Sequence, residues 1–372
     1  MIYLDNAATT KMSIKALEEY SKYACSLFYN PSATYVQAVD TAATLTDARG
    51  RIKKLLGVKN GDIIFTSGAT ESNNLAIRGS LRQGNWKYIF SSGEHASVGS
   101  LAAALKNEGK EVEFVPLQKS GEIDYLQFEK LLSSKTRLVS IMMISNVTGA
   151  INDIARISKM VRKNCPQAVL HVDGVQAFCK IPVNLDKLDV DLFSFSAHKF
   201  HGPKGVGGLY VRNKAALKNL VYGGGQEFAI RSGTENVGGI MAMLTAAEEI
   251  DVEANFKKVA LLKQAFLNKL LPCNGVTVAG ENTSPYICML LFKGVNSETL
   301  VRSIENEVIV GRGSACSAKK AGNHVLEGMG YNLDLIKGAL RVSFDASLSE
   351  QEVENAAEII KDKYLELFEK LK

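Results

Sequence analysis

The stretch VDLFSFSAHKFHGPKGVGGLYVR, Val190–Arg212, carries the pattern that decides the fold. Its first apolar run, Leu192–Ser196, and its second, Gly207–Val211, have the length and bounding residues of buried β-strands. Between them stand His198 and Lys199. A lysine at a strand end that faces a cleft can form a Schiff base once its pKa is lowered, although a surface lysine is the commoner case. The glycines beyond Lys199 do not open a helix and therefore do not form a dinucleotide-binding fingerprint.

Short apolar runs alternate with helical patterns on both sides of this stretch. The alternation predicts an α/β fold with a mainly parallel central sheet covered by helices. The further predicted strands are Asp62–Thr66, Lys87–Ser91, Glu111–Pro116, Leu138–Ile144 and Val169–Asp173. The predicted helices include Ser97–Asn107, Ile154–Asn164 and a long pattern from Ile240 to Leu271 that ends at Pro272.

The length of 372 residues exceeds what one hydrophobic core usually organises. We therefore predict a large domain of residues 14–255 and a smaller C-terminal α+β domain of residues 256–372. We expect the N-terminal segment 1–13 to pack against the smaller domain, which carries Cys316.

Charge and cysteine usage exclude several classes of protein. The net charge of +5, from 44 basic and 39 acidic residues, does not indicate a nucleic-acid partner. The six cysteines are dispersed and fit neither a disulfide framework nor a zinc site. The H-x-x-H of His198 and His201 lacks a third ligand nearby, so we expect no metal. Without a signal pattern or a long apolar run, the sequence predicts a cytoplasmic protein that does not enter the membrane.

Polar residues follow three other predicted strands, where open parallel sheets bind their ligands. Thr70 lies at a helix start in IIFTSGATESNN, which suits a phosphate or an ordinary helix cap. His95 follows a strand in FSSGEHASV, and Asp173 ends one in VLHVDGVQ. A lone histidine is more often structural, and a buried aspartate can serve a cap or a core ion pair. Together with Lys199, however, these residues are the parts of a pyridoxal phosphate site.

The sequence resembles the cysteine desulfurases, which are class V, fold-type I pyridoxal phosphate enzymes, and within them the group with a long cysteine loop. The resemblance spans nearly the whole chain. It rests on IYLDNAATT, FTSGATESNNLAI, HVDGVQ, SFSAHKFHGPKGVGGLYVR, RSGTEN, GSACS and ALRVSF, in that order.

The resemblance implies a role for each matching residue. Lys199 would hold the cofactor as a Schiff base, and Asp173 would pair with its ring nitrogen. His95 would stack on the ring and move protons. The phosphate would be bound by Thr70, Ser196 and His198, with Thr234 reaching the site of the neighbouring subunit in a homodimer. Gln176 and Asn146 would lie beside the ring oxygen, and Arg341, with Asn146, would bind the carboxylate of the substrate.

The resemblance also gives Cys316 a function. It would attack the sulfur of L-cysteine, take that sulfur as a persulfide, release L-alanine and pass the sulfur to an acceptor protein. Members that supply iron–sulfur scaffolds have a longer C-terminal tail than DKYLELFEKLK. We therefore expect a tRNA-thiolating enzyme as the acceptor, with an iron–sulfur scaffold as the alternative.

Three other functions stay open at this stage. A selenocysteine lyase would prefer the selenium substrate, and a related class V aminotransferase would not need Cys316. A non-catalytic binding protein with the same fold is the third. It is suggested only by Val147, in SNVTG, where the family usually has an acidic residue.

Overall fold

The computed structural model describes residues 1–312 and 323–370. The strands in these residues are β1 (Ile2–Leu4), β2 (Asp62–Thr66), β3 (Lys87–Ser91), β4 (Glu111–Val115), β5 (Thr136–Met142), β6 (Val169–Asp173), β7 (Leu192–Ser196), β8 (Gly207–Val211), β9 (Val276–Ala279), β10 (Ile287–Phe292), β11 (Val308–Val310) and β12 (Ala339–Ser343). The α-helices are α1 (Ile14–Ser21), α2 (Val36–Leu55), α3 (Ala69–Gly79), α4 (Ala96–Asn107), α5 (Tyr125–Leu131), α6 (Ile154–Asn164), α7 (Leu185–Leu188), α8 (Val237–Glu248), α9 (Val252–Leu270), α10 (Ser297–Ile304), α11 (His324–Gly328), α12 (Leu333–Lys337) and α13 (Glu350–Lys370).

The described residues form a central seven-stranded sheet in the order β2-β8-β7-β6-β5-β3-β4. Strand β8 runs antiparallel to both of its neighbours, and the other pairs in the sheet are parallel. This is the predicted α/β fold with a mainly parallel sheet. The carboxyl ends of β6 and β7 therefore lie side by side, which brings the residues after these two strands to one edge.

Two predicted boundaries are wrong for identifiable reasons. The strand expected over Leu138–Ile144 is β5, Thr136–Met142, because the buried residues after Met142 are apolar but leave the ladder. The pattern from Ile240 to Leu271 is two helices rather than one. Asp251 accepts a hydrogen bond from the Ala254 amide and so starts α9 as its N-cap.

Glycines allow two close approaches in the central sheet. A Cβ atom on Gly174, directly after β6, would lie 1.8 Å from the Phe193 ring. A Cβ atom on Gly207 would lie 2.6 Å from the Phe195 carbonyl oxygen and 2.8 Å from the Gly68 Cα. Any larger residue at these positions would push apart the segments that meet at the carboxyl ends of the strands.

A second group of elements has its own apolar core. Strands β12, β10 and β9 form an antiparallel sheet, and β1 pairs in parallel with β11. Helices α9 and α13 pack against each other, with Phe266 and Tyr364 fully buried. Leu4 and Ala7 belong to this same core. The N-terminal segment therefore connects this core to the edge of the central sheet.

Within residues 1–312 and 323–370, no helix combines the length and the apolar character needed to cross a bilayer.

Candidate active site

Lys199 lies in a short 3-10 turn, Ala197–Lys199, directly after β7. Its Nζ donates hydrogen bonds to the carbonyl oxygens of Ala7, at 2.9 Å, and Ala8, at 2.7 Å. The N-terminal segment therefore closes over the end of the central sheet and fixes the position of the amine.

Asp173 is a buried carboxylate at the end of β6, with only 3% of its surface exposed. It accepts hydrogen bonds from Asn73 Nδ2, at 2.8 Å, and from the Val175 amide, at 3.1 Å. Both of these donors are neutral, so neither supplies a countercharge to the carboxylate. A buried carboxylate of this kind needs a positive partner, which a protonated pyridine nitrogen would provide.

His95 is the N-cap of α4 and lies close to Asp173. Its Nδ1 accepts a hydrogen bond from the Ser97 amide at 3.2 Å, and the Ser97 hydroxyl also contacts Nδ1, at 2.9 Å. Burial lowers the pKa of His95, and the opposing effect of Asp173 is smaller. The ring is therefore neutral near pH 7, and its proton sits on Nε2.

The segment between β2 and α3 forms an anion cradle. Gly68 has φ +145°, and the first amides of α3 face away from the helix. Glu71 braces the cradle because its Oε2 accepts from the Ser67 amide at 2.7 Å and its Oε1 accepts from Arg231 Nε at 2.8 Å. The side chain of Thr70 is exposed at the same helix start.

Ser196, at the end of β7, approaches this cradle, and His198 lies in the turn that follows β7. The Ser196 Oγ lies 3.5 Å from the place where a Cβ atom of Gly68 would be. His198 Nδ1 lies 3.2 Å from Thr9 Oγ1. Burial, together with the nearby Lys199, lowers the pKa of His198 to about 4, so this ring is a neutral hydrogen-bonding group.

Arg341, on β12, is buried beside Asn146. Its Nη1 donates to the Asn146 carbonyl oxygen at 2.8 Å, and its Nη2 donates to Asp5 Oδ1 at 2.7 Å. Its Nε is buried without a hydrogen-bond partner in the described part of the chain. The guanidinium therefore has a spare donor, as the recognition of a substrate carboxylate requires.

Gln176 is held at both ends of its amide. Its Nε2 donates to the Ala7 carbonyl oxygen at 2.9 Å, and its Oε1 accepts from Lys180 Nζ at 2.6 Å. Because Lys199 donates to the same Ala7 carbonyl, Gln176 lies beside the reactive amine.

These observations test whether the residues fit pyridoxal phosphate. The unpaired buried carboxylate of Asp173 suits the ring nitrogen, and the cradle at Gly68 suits the phosphate. Lys199 lies between the two along the sheet edge, and Arg341 offers an unused donor nearby. The residues fit the cofactor.

Two of the expected site residues stand apart. Thr234 is exposed and lines a separate cleft together with Tyr20, Phe28 and Tyr29. Cys316 lies outside the described residues.

The sequence analysis missed three residues of this edge. Asn73 holds Asp173, Asp5 holds Arg341, and Lys180 holds Gln176. For Lys180 the sequence offers one indication of a contact with Gln176, because the two residues are four positions apart.

Val147 does not line the site, although it follows Asn146. It is 3% exposed and packs in an apolar cluster with Met289 and with Val325 and Leu326 of α11. An acidic side chain in this cluster would be buried among apolar neighbours, so valine is the residue that suits its surroundings here.

Comparisons with known proteins give a consistent result. The family model described as "Aminotransferase class-V" matches residues 2–356. A relative from Lactobacillus delbrueckii subsp. bulgaricus, named "NifS/IcsS protein homolog", is 37% identical over 95% of this chain and 94% of its own. "Cysteine desulfurase IscS" from Dictyoglomus turgidum is 34% identical over 96% and 93%. A solved structure titled "NIFS-LIKE PROTEIN" has a TM-score of 0.91 and 32% identity, covering 97% of this chain and 98% of that one.

Proposed function

Since the chain belongs to the cysteine desulfurase family of the class-V aminotransferases, we propose that Lys199, His95 and Cys316 carry out its removal of sulfur from L-cysteine. The observation that carries the proposal is Asp173, a buried carboxylate that accepts from the neutral donors of Asn73 and Val175, on the sheet edge that also bears Lys199. Bound pyridoxal phosphate supplies an electron sink for the electron pair left at the substrate α-carbon.

Each of the remaining steps of the reaction is assigned to a different residue of the site. Lys199 takes the α-proton of the substrate on Nζ, and Arg341 orients the substrate through its carboxylate. Cys316 attacks as a thiolate, so that an S–S bond forms on it while the C–S bond of L-cysteine breaks. The electron pair of the broken bond remains on carbon, which is protonated to give L-alanine. His95 exchanges protons through Nε2, because Nδ1 is occupied by the Ser97 amide.

The release of L-alanine from L-cysteine tests this assignment. We expect the native protein to release L-alanine in the presence of dithiothreitol and the Cys316→Ala variant to release almost none. Equal release by both would exclude Cys316 as the nucleophile. A strong preference for L-selenocysteine would indicate a selenocysteine lyase instead.

A homodimer is the second part of the proposal. Phe28, which lines the cleft with Thr234, is 66% exposed. Val36 and Tyr222 are also large apolar side chains with high exposure, at 71% and 79%. Patches of this kind mark protein–protein interfaces. A second copy of the chain would cover them and bring its own Thr234 to the phosphate of the first.

Mixed dimers test the role of Thr234. In a dimer of a Lys199→Ala subunit and a Thr234→Ala subunit, the second subunit keeps its lysine and receives an intact threonine from the first. We expect the mixture to recover activity that neither variant has alone. If Thr234 served its own subunit, every site would be defective and mixing would restore nothing.

The division into residues 14–255 and 256–372 is also proposed, with residues 1–13 attached to the smaller unit. The shared core of Leu4, Ala7, Phe266 and Tyr364 supports it. We propose further that the protein works in the cytoplasm. The described cysteines form no disulfide, which supports a reducing compartment.

The persulfide must be discharged before the next turnover, so we propose a protein acceptor. A tRNA-thiolating enzyme and an iron–sulfur scaffold are the two candidates. Transfer of labelled sulfur from L-cysteine to one purified candidate in the presence of the other distinguishes them.

A further inference from the structure

Lys180 is a buried lysine at the edge of the site. It is 6% exposed, and its Nζ lies 5.8 Å from the centre of the Tyr286 ring. Within residues 1–312 and 323–370, no acidic side chain lies within 4.0 Å of it. Burial lowers its pKa to about 7. Burying an amine is unfavourable, and a methionine would fill the same space without that penalty.

The side-chain amine of Lys180 donates a hydrogen bond to Gln176. The bond to Gln176 Oε1 is 2.6 Å long, and Gln176 Nε2 in turn donates to the Ala7 carbonyl oxygen. That carbonyl also accepts from Lys199 Nζ. A chain of hydrogen bonds therefore joins Lys180 to the reactive lysine through one amide and one backbone carbonyl.

This arrangement fixes which edge of the Gln176 amide faces Lys199. In its protonated form the Lys180 amine has donors and no acceptor, so it binds the amide oxygen and not the amide nitrogen. The Ala7 carbonyl selects the nitrogen at the other end. The second N–H of Gln176 stays available as a donor, whereas a flipped amide would present an oxygen.

We propose that Lys180 is a positioning residue that holds Gln176 with its N–H edge towards Lys199 and towards the ring oxygen of pyridoxal phosphate. The inference rests on the proposed role of Lys199. Lys180 itself does not touch the reacting atoms. It acts through Gln176 by keeping a donor beside an oxygen that carries negative charge.

The test is a pH titration of the visible absorption band of the purified holoenzyme. A donor to the ring oxygen stabilises its anionic form and lowers the midpoint of this titration. We expect Lys180→Met to raise the midpoint by about one pH unit. The groups that face Lys180 and contribute to the same field are Lys199, Arg341, Asp345 and Cys179.

A pair of variants distinguishes the effect of the hydrogen bond to Gln176 from the simple loss of the Lys180 charge. In a Gln176→Leu background, Lys180→Met should shift the midpoint by less than a third of its effect in the native background. Lys180→Gln keeps an N–H donor, so it should shift the midpoint less than Lys180→Met does. The matched control is Lys263→Met, because Lys263 is partly buried and donates to Thr283 and to backbone carbonyls of the other core.

Three results would overturn the inference: an unchanged midpoint in Lys180→Met, equal shifts in both backgrounds, or equal shifts for the Met and Gln variants. Cofactor affinity of the apoprotein, measured by equilibrium dialysis, is the second readout and should fall several-fold in Lys180→Met. If Lys180 does not position Gln176, the native protein still shows the visible band and still releases L-alanine. Failure of the proposed role of Lys199 removes the band from the native protein and contradicts both proposals.

Discussion

Replacement of Arg49 by methionine should expose how a strained turn is held against the central sheet. Arg49, on α2, donates to both carboxylate oxygens of Glu227, at 2.7 and 2.6 Å, and to the Ile63 carbonyl oxygen, at 2.6 Å. Glu227 also accepts from the Phe65 amide at 2.8 Å. The turn from Glu227 to Ala229 has φ values of +48°, +58° and +61° at three successive residues other than glycine.

The size of the effect follows from burial. The side chains of Arg49 and Glu227 are 14% and 2% exposed, so loss of the arginine would leave a buried carboxylate with one amide donor. Removing one member of a buried ion pair typically lowers stability by about 3–5 kcal/mol. The left-handed residues store about 1–2 kcal/mol each, so the turn should relax and return part of this energy. We expect the free energy of unfolding to fall by about 3 kcal/mol.

Urea denaturation of the holoenzyme measures the change, and limited proteolysis shows whether the turn has opened. The matched control is Arg51→Met on the same helix. Its ion-pair partners are Glu248 and Asp47, and the Arg51, Glu248 and Asp47 side chains are 41%, 35% and 65% exposed. Its loss should therefore lower the free energy of unfolding by less than about 1 kcal/mol. Equal losses for the two variants would refute the reasoning, because the buried contacts of Arg49 would then add nothing over an exposed ion pair.

Three further predictions concern the site. Burial and the neighbouring Asp173 raise the pKa of Glu94 well above its ordinary value. The unfolded state therefore ionises first as pH rises, and the native protein should lose stability as the pH rises above 4.5, the ordinary value for this carboxyl, whereas Glu94→Gln should show a flatter profile in urea unfolding. Asp173→Asn should raise the dissociation constant of pyridoxal phosphate by about tenfold or more, since the ring nitrogen loses its charged partner; unchanged equilibrium dialysis would contradict this. Gly311→Ala should raise KM for L-cysteine more than it lowers kcat, because the new Cβ would lie 2.6 Å from Asp5 Oδ1 and 3.0 Å from Arg341 Nη2. An unchanged KM in steady-state kinetics would show that the Asp5–Arg341 pair does not bind the substrate.

The strands were predictable wherever apolar runs end at polar or glycine residues. Leu192–Ser196 and Gly207–Val211 coincide with β7 and β8 residue for residue. The end of β5 was not predictable, because Met143 and Ile144 are as buried as the strand itself. The break before α9 was hidden because Ile250 continues the apolar pattern, and only the capping role of Asp251 reveals it.

Site residues could be predicted from the sequence where they stand at, or directly after, the end of a predicted strand. Lys199 and Asp173 could be inferred because each comes directly after or at the end of a strand. Asn73 could not, since its role depends on a contact with Asp173 across 100 residues. Lys180 could not be inferred either, because its spacing of four residues from Gln176 gains meaning only once its burial is known.

The N-terminal strand has a consequence for protein synthesis. The Ala7 amide donates to Ser343 Oγ at 2.9 Å, across 336 residues, and β1 pairs with β11. During translation, β1 leaves the ribosome long before either partner exists. The carbonyl groups that hold Lys199 therefore lie on a segment whose strand partner is made near the end of synthesis. A nascent chain halted before β11 would contain Lys199 but not the strand pairing that fixes the segment above it, so we expect this edge of the sheet to be completed late.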